Sequence, residues 1–243
     1  IDADTVLTYA SIDGTKLAMK QYDLVNAHDT YGSFSSYSSY MDTIAFYKAR
    51  SYFKDRDYMT ASEKFDEFRR SFGRSAFIED AEGMYALCHY YMAPTPERDQ
   101  SLTTQAIISI TEFMSRYPES EHNAEFKEML TELTERLMEK SYLNAYTYYK
   151  IGKYKAAIVA FKNAMKRYPD SPRTEEMMYY MTVSSYRLAD NSVESKQVDR
   201  FLAMLDAYYS FIAEYPESKH VRELERMAKA ARTFLDKQQN TEE

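Results

Sequence analysis

A single spacing recurs five times along this chain and restricts what it can fold into. In the best-preserved copy a small residue, an aromatic and another small residue fall at Ala157, Phe161 and Ala164, followed by Tyr168-Pro169-Asp170-Ser171. Ala106, Ile110, Phe113 and Tyr117-Pro118-Glu119-Ser120 repeat it, as do Met204, Tyr208, Phe211 and Tyr215-Pro216-Glu217-Ser218. Another copy, Ala61, Phe65, Phe68 and Phe72-Gly73-Arg74-Ser75, puts glycine where the others have proline, and a worn one survives as Ala18, Tyr22, Val25 and Thr30. The leading residue and the turn residue are 12 apart in every copy: 18 and 30, 61 and 73, 106 and 118, 157 and 169, 204 and 216.

Positions i, i+4 and i+7 lie on one face of a helix, so each copy is a buried stripe. The small residue lets a neighbouring helix come close, and the aromatic fills the space beside it. Proline ends the helix because it lacks an N–H and clashes with the preceding turn. The serine two residues later is a favoured N-cap for the next helix, and Pro172 stands at its expected first position. An Ala-x3-Phe stripe with a late proline is the second half of a tetratricopeptide (TPR) repeat. The first half is clearest in Tyr148-Tyr149-Lys150-Ile151-Gly152-Lys153-Tyr154, where one helix ends and the next begins. Tyr52-Phe53-Lys54-Asp55-Arg56-Asp57-Tyr58 matches it with Arg56 in place of the turn glycine.

The expected fold is therefore all-α: a right-handed α-solenoid of five TPR-like hairpins with a C-terminal capping helix over 218–237. All 243 residues fall in one domain, with repeats near 1–30, 40–73, 76–118, 121–169 and 172–216. Only 5 glycines and 6 prolines fit a nearly all-helical chain. The turn residues are 43, 45, 51 and 47 apart, against about 34 for a minimal repeat. Because the second-helix frame is constant, the extra length is assigned to the first helix or the loop after it. These segments include the Ser/Tyr tract 31–40, the loop Ala93 to Gln100, and a polar loop Leu188 to Ser195. Ser120 to about Ile151 has neither proline nor glycine, which gives one helix of roughly 45 Å at about 1.5 Å per residue.

The net charge is −7, and the 31 basic residues are read as spread along the chain without a basic block. That argues against nucleic acid, whose binding draws on a cationic stripe. One cysteine, Cys88, excludes an internal disulfide framework and reads as a buried small hydrophobe. No transmembrane run or signal peptide is visible. The four histidines are scattered without metal-ligand spacing, and no glycine-rich phosphate loop exists. With no catalytic constellation, no cofactor and no metal expected, the chain reads as a non-enzymatic binding scaffold.

Three segments carry a more specific resemblance: Pro94-Thr95-Pro96-Glu97-Arg98-Asp99-Gln100 leading to Ala106-Ile107, the long helix running into Tyr148 to Ala157, and the thrice-repeated Tyr-Pro-x-Ser turn. Together they resemble the BamD family (also YfiO or ComL), the lipoproteins of the outer-membrane β-barrel assembly machinery. The likeness runs from about Asp4 to Leu235, with a divergent first repeat. It implies a scaffold on the periplasmic face of the outer membrane, tethered by an acylated cysteine upstream of Ile1. It also implies docking to the barrel-bearing subunit through the C-terminal repeats, with N-terminal repeats facing client β-barrel proteins. Where the family can present an arginine to its partner, this chain has Val159-Ala160-Phe161. Another periplasmic TPR adaptor, such as a cell-envelope coordinator or a secretin pilotin, is the alternative with the same fold.

In a TPR array the first helix of each hairpin lines the concave face. Counting back from Ala61 puts Phe46, Arg50 and Phe53 there; counting back from Ala157 puts Tyr142, Tyr146 and Tyr149 there. Each of these residues equally suits packing between helices. As a binding surface they would take an extended apolar segment, with Arg50 meeting a carboxylate. Arg167 and Arg173, beside the turn at Pro169, are the candidate contacts to an acidic patch on the machine.

Overall fold

The structure is a computed structural model that describes residues 41–242. The first copy of the frame and the Ser/Tyr tract lie outside the described residues. Among the described residues there are nine helices and no strand: α1 Met41–Lys54, α2 Tyr58–Ser71, α3 Ile78–Met92, α4 Ser101–Arg116, α5 Asn123–Lys150, α6 Tyr154–Arg167, α7 Thr174–Asp190, α8 Glu194–Glu214 and α9 Val221–Glu242. They form two compact units, one ending at Arg136 and one beginning at Leu137, so the boundary falls within α5.

In the first unit α1 packs on α2, α2 on α3 and α3 on α4, and α1 also touches α3. Ala61, Phe65 and Phe68 of α2 and Ala106, Ile110 and Phe113 of α4 are buried, as the frame requires. The first core joins Phe46, Ala49 and Cys88 to the α2 stripe; the second joins Phe126, Met129 and Leu133 of α5 to the α4 stripe. Gly83 lets α3 approach α4 closely, since a Cβ there would sit 3.3 Å from the Phe113 ring. Burial pushes the Cys88 thiol up to about 12, which leaves it protonated and unreactive.

In the second unit α7 packs on α6 and α8, and α9 packs on both α7 and α8. The α6 stripe, Ala157, Phe161 and Ala164, is buried against Tyr142 and Ala145 of α5 and against Met177 and Met181 of α7. Met204, Tyr208 and Phe211 meet Leu224, Ala228 and Ala231 of α9. The helix placed after Pro216 thus covers the apolar side of the last hairpin.

The turn residues act as punctuation, with one correction. The N–H of Ser75, Ser120, Ser171 and Ser218 each donates to the carbonyl three residues back, at 2.9, 3.1, 3.2 and 3.2 Å. Each serine hydroxyl accepts the N–H two residues on, from Phe77, His122, Arg173 and His220. The α-helices start only at Ile78, Asn123, Thr174 and Val221. The serines therefore cap a single introductory turn rather than the α-helix itself. Two of them also reach back: the hydroxyls of Ser75 and Ser218 donate to Asp42 and Glu175, each at 2.6 Å.

The extra length of the last hairpin is also placed differently. Leu188, Ala189 and Asp190 finish α7, with Ala189 buried, and only residues 191–193 separate it from α8. α8 begins ten residues before Met204, whereas α6 begins three before Ala157. No proline or glycine interrupts 194–203, so the second helix simply extends backward.

Candidate functional site

In the first unit, Phe46, Tyr47 and Arg50 of α1 line a cavity of about 250 Å³ with Phe77, Asp80, Gly83, Met84, Leu87, His122 and Phe126. Phe46 is 5% exposed and stacks on Phe77 at 4.8 Å, so it forms the floor and not a free contact. Arg50 is exposed at the rim, its guanidinium 5.8 Å from the Tyr47 ring, and no carboxylate among the described residues pairs with it. Asp80 and His122 face each other at 4.0 Å on another part of the lining. Phe53 is elsewhere. It packs edge-on against Tyr58 at 5.3 Å and Tyr91 at 5.8 Å, outside this cavity. The structure thus joins Phe46 and Arg50 but not Phe53. Sequence reasoning missed Asp80, Met84 and His122, because they come from α3 and the turn before α5, whose register no frame residue fixes.

In the second unit, Tyr142, Tyr146 and Tyr149 do form a row. Tyr146 stacks on Tyr142 at 5.7 Å and on Tyr149 at 5.8 Å, and Tyr180 closes on Tyr146 and Tyr149 at 4.9 Å each. Tyr142 is buried and the other two are half-buried, so the row is mostly a seam between α5 and α7. Burial raises the Tyr142 and Tyr149 hydroxyls, and burial with a hydrogen bond to Tyr146 pushes Tyr180 up to about 12. The hydroxyls of Tyr142, Tyr149 and Tyr180 therefore stay neutral at ordinary pH.

The two arginines part company. Arg173 grips Glu139 through Nε at 2.9 Å and Nη2 at 3.1 Å, bonds Glu176 at 3.0 Å, and lies over the Tyr142 ring at 5.1 Å. Its fork is already occupied within the unit. Arg167 is exposed, its guanidinium 5.5 Å from the Tyr168 ring.

Two further surfaces stand out in this unit. Tyr148, Lys153, Tyr154, Lys155, Val159, Ala160, Asn163, Leu188 and Asn191 line an open groove of about 900 Å³. On α8, Val198, Leu202 and Tyr209 stand exposed on the side away from Met204 and Phe211. Contrary to an even spread of charge, the groove lies within a basic block. From Lys140 to Pro169 the chain holds six lysines and Arg167 and not one aspartate or glutamate. The overall negative charge hid this block, and tracking sign along the sequence would have found it.

The family model for YfiO, described as an outer membrane lipoprotein, matches residues 15–200 and again residues 138–240. The outer membrane protein assembly factor BamD of Helicobacter pylori is 29% identical over 73 residues, 30% of this chain and 33% of that protein. Its namesake in Caulobacter vibrioides is 23% identical over 147 residues, 60% of this chain and 48% of that protein. The matched stretches span about half or less of the length of these relatives.

Proposed function

The chain belongs to the YfiO family of outer membrane lipoproteins, and on that premise we propose that it is a non-catalytic scaffold of outer-membrane β-barrel protein assembly. In this reading the helical hairpins of each unit are TPR-like repeats, and the chain is held at the periplasmic face of the outer membrane by a lipid anchor. The first unit receives segments of client β-barrel proteins. The second docks on the barrel-bearing subunit, with the exposed row Val198, Leu202 and Tyr209 as the apolar contact. The names of the relatives in Helicobacter pylori and Caulobacter vibrioides support this role.

The observation that carries the reading is the cavity around Phe46, Tyr47 and Met84 with Arg50 at its rim. At about 250 Å³ it is smaller than the roughly 300–1,000 Å³ of a small-molecule site. It suits one or two apolar side chains of an extended segment, and Arg50 suits a carboxylate nearby, which it meets bidentately. Fluorescence titration of a labelled C-terminal β-barrel peptide tests this. Arg50→Glu and Met84→Glu should each weaken binding at least tenfold, while Phe53→Ala should lower thermal stability and leave the affinity unchanged. Equal affinity in all four proteins would dismiss the site.

A further inference from the structure

The cationic block is arranged as a face. Lys155, Val159, Lys162 and Lys166 are spaced i, i+4, i+7 and i+11, one stripe of α6, opposite the buried Ala157, Phe161 and Ala164. All three lysines are exposed, and no carboxylate among the described residues forms an ion pair with them or with Lys153. Lys153 and Lys155 share the open groove with Tyr148 and Val159. Apolar side chains stand out among them: Tyr148 is 44% exposed, Val159 53%, and Ile151, in the turn between α5 and α6, 60%.

We propose that this face of α6 docks on an anionic lipid surface. The apolar face of α6 is taken up by the core, so what it offers outward is a lysine stripe, which an anionic headgroup layer attracts, with Val159 and the neighbouring Tyr148 and Ile151 protruding among the charges. Tyrosines such as Tyr148 and Tyr154 favour that boundary, where the ring is apolar and the hydroxyl wet. The choice of cation separates a lipid surface from a protein partner. Lysine is a flexible point charge suited to diffuse phosphate, whereas fixed carboxylates on a protein are matched by the arginine fork. The stripe contains three lysines and no arginine. Membership in a family of outer membrane lipoproteins places a membrane within reach. The inference concerns α6, not the α1 cavity or the α8 row, so it stands or falls apart from the proposed scaffold role.

Co-sedimentation of the purified chain with vesicles tests it, using phosphatidylcholine alone or phosphatidylcholine doped with phosphatidylglycerol. The chain should bind only the doped vesicles and be released as salt rises, because exposed charges are screened within about 10 Å at 0.1 M. Each lysine near an anionic surface contributes about a fivefold gain in partitioning. Lys155→Gln, Lys162→Gln and Lys166→Gln together should therefore cost about a hundredfold, and Val159→Asp should weaken binding further with helicity unchanged by circular dichroism. No binding to doped vesicles, equal binding to neutral ones, or an unaffected triple variant would overturn the assignment. If the triple variant instead loses an acidic protein partner while vesicles are never bound, α6 is a protein interface and the lipid assignment falls.

Discussion

Arg56 and Gly152 hold the same left-handed corner in two copies of one turn, with φ of 61° and 72°. In each copy the corner N–H donates to the carbonyl three residues back, Phe53 or Tyr149, at 3.0 Å. The next N–H, of Asp57 or Lys153, donates to the carbonyl five back, Tyr52 or Tyr148, at 3.0 and 2.9 Å. This pair of bonds is the Schellman closure of a helix C-terminus, and its corner favours glycine. Among the described residues Arg56 is the only non-glycine with positive φ.

Because a side chain in this region costs about 1–2 kcal/mol, Arg56→Gly should stabilise the protein by roughly 1 kcal/mol, and Gly152→Ala should destabilise it by about as much. Beyond its two chain neighbours nothing lies within 4 Å of where a Cβ on Gly152 would sit, so the second effect is backbone alone. Urea unfolding measures both. A destabilised Arg56→Gly would mean that its side chain contributes more than the turn costs.

Arg173 is held by two carboxylates of its own unit. Its bonds to Glu139 and Glu176 tie the start of α7 to α5, yet its side chain is 41% exposed and that of Glu139 29%. Solvent screening limits such a pair, so a double-mutant cycle of Arg173→Ala and Glu139→Ala should give a coupling of about 0.5–1 kcal/mol. Arg167→Ala should leave the unfolding midpoint where it is. A cycle with no coupling would return Arg173 to the role of a free contact residue.

His89 makes stability depend on pH. Its Nδ1 is 2.7 Å from the Ser109 hydroxyl, which itself donates to the Gln105 carbonyl at 3.0 Å, so Nδ1 carries the proton of this hydrogen bond. Burial lowers its pKa from 6.5, the Arg69 guanidinium lowers it further, and Asp66 partly opposes them. Tyr85, itself under Arg69, packs on the ring at 4.5 Å. Below pH 6.5 the unfolded chain binds a proton that the folded chain refuses. The contribution of this histidine is therefore complete above that pH and is lost as pH falls from there toward the lowered folded value. His89→Gln should flatten the stability profile across that acid window. A wild-type profile that stays level there would refute the neutral buried ring.

Much of this architecture is legible in the sequence, and the residues explain how much. Ala157, Phe161 and Ala164 are fixed by periodicity and proline, so their burial is readable without coordinates. Helix beginnings are less so. Ser171 looks like an N-cap, but its hydroxyl serves a preliminary turn, and nothing in local composition separates the two. The candidate contacts fare worst, because a first-helix aromatic faces either the groove or its neighbour. Phe46 and Tyr142 went to the interior, and Arg50 went to a rim completed by residues from two other elements. Which arginine is already paired depends on Glu139, thirty-four residues before Arg173 in the chain.

Capture from an envelope extract tests whether the chain serves outer-membrane β-barrel assembly. Tagged chain, and a Leu202→Glu, Tyr209→Glu variant with both exposed positions reversed in character, are used as baits, and the bound proteins are identified by mass spectrometry. The barrel-bearing subunit of the outer-membrane assembly machinery should be enriched by the unmodified chain and lost from the variant. Recovery of a secretin or a peptidoglycan factor in its place, with the barrel-bearing subunit absent, would contradict it.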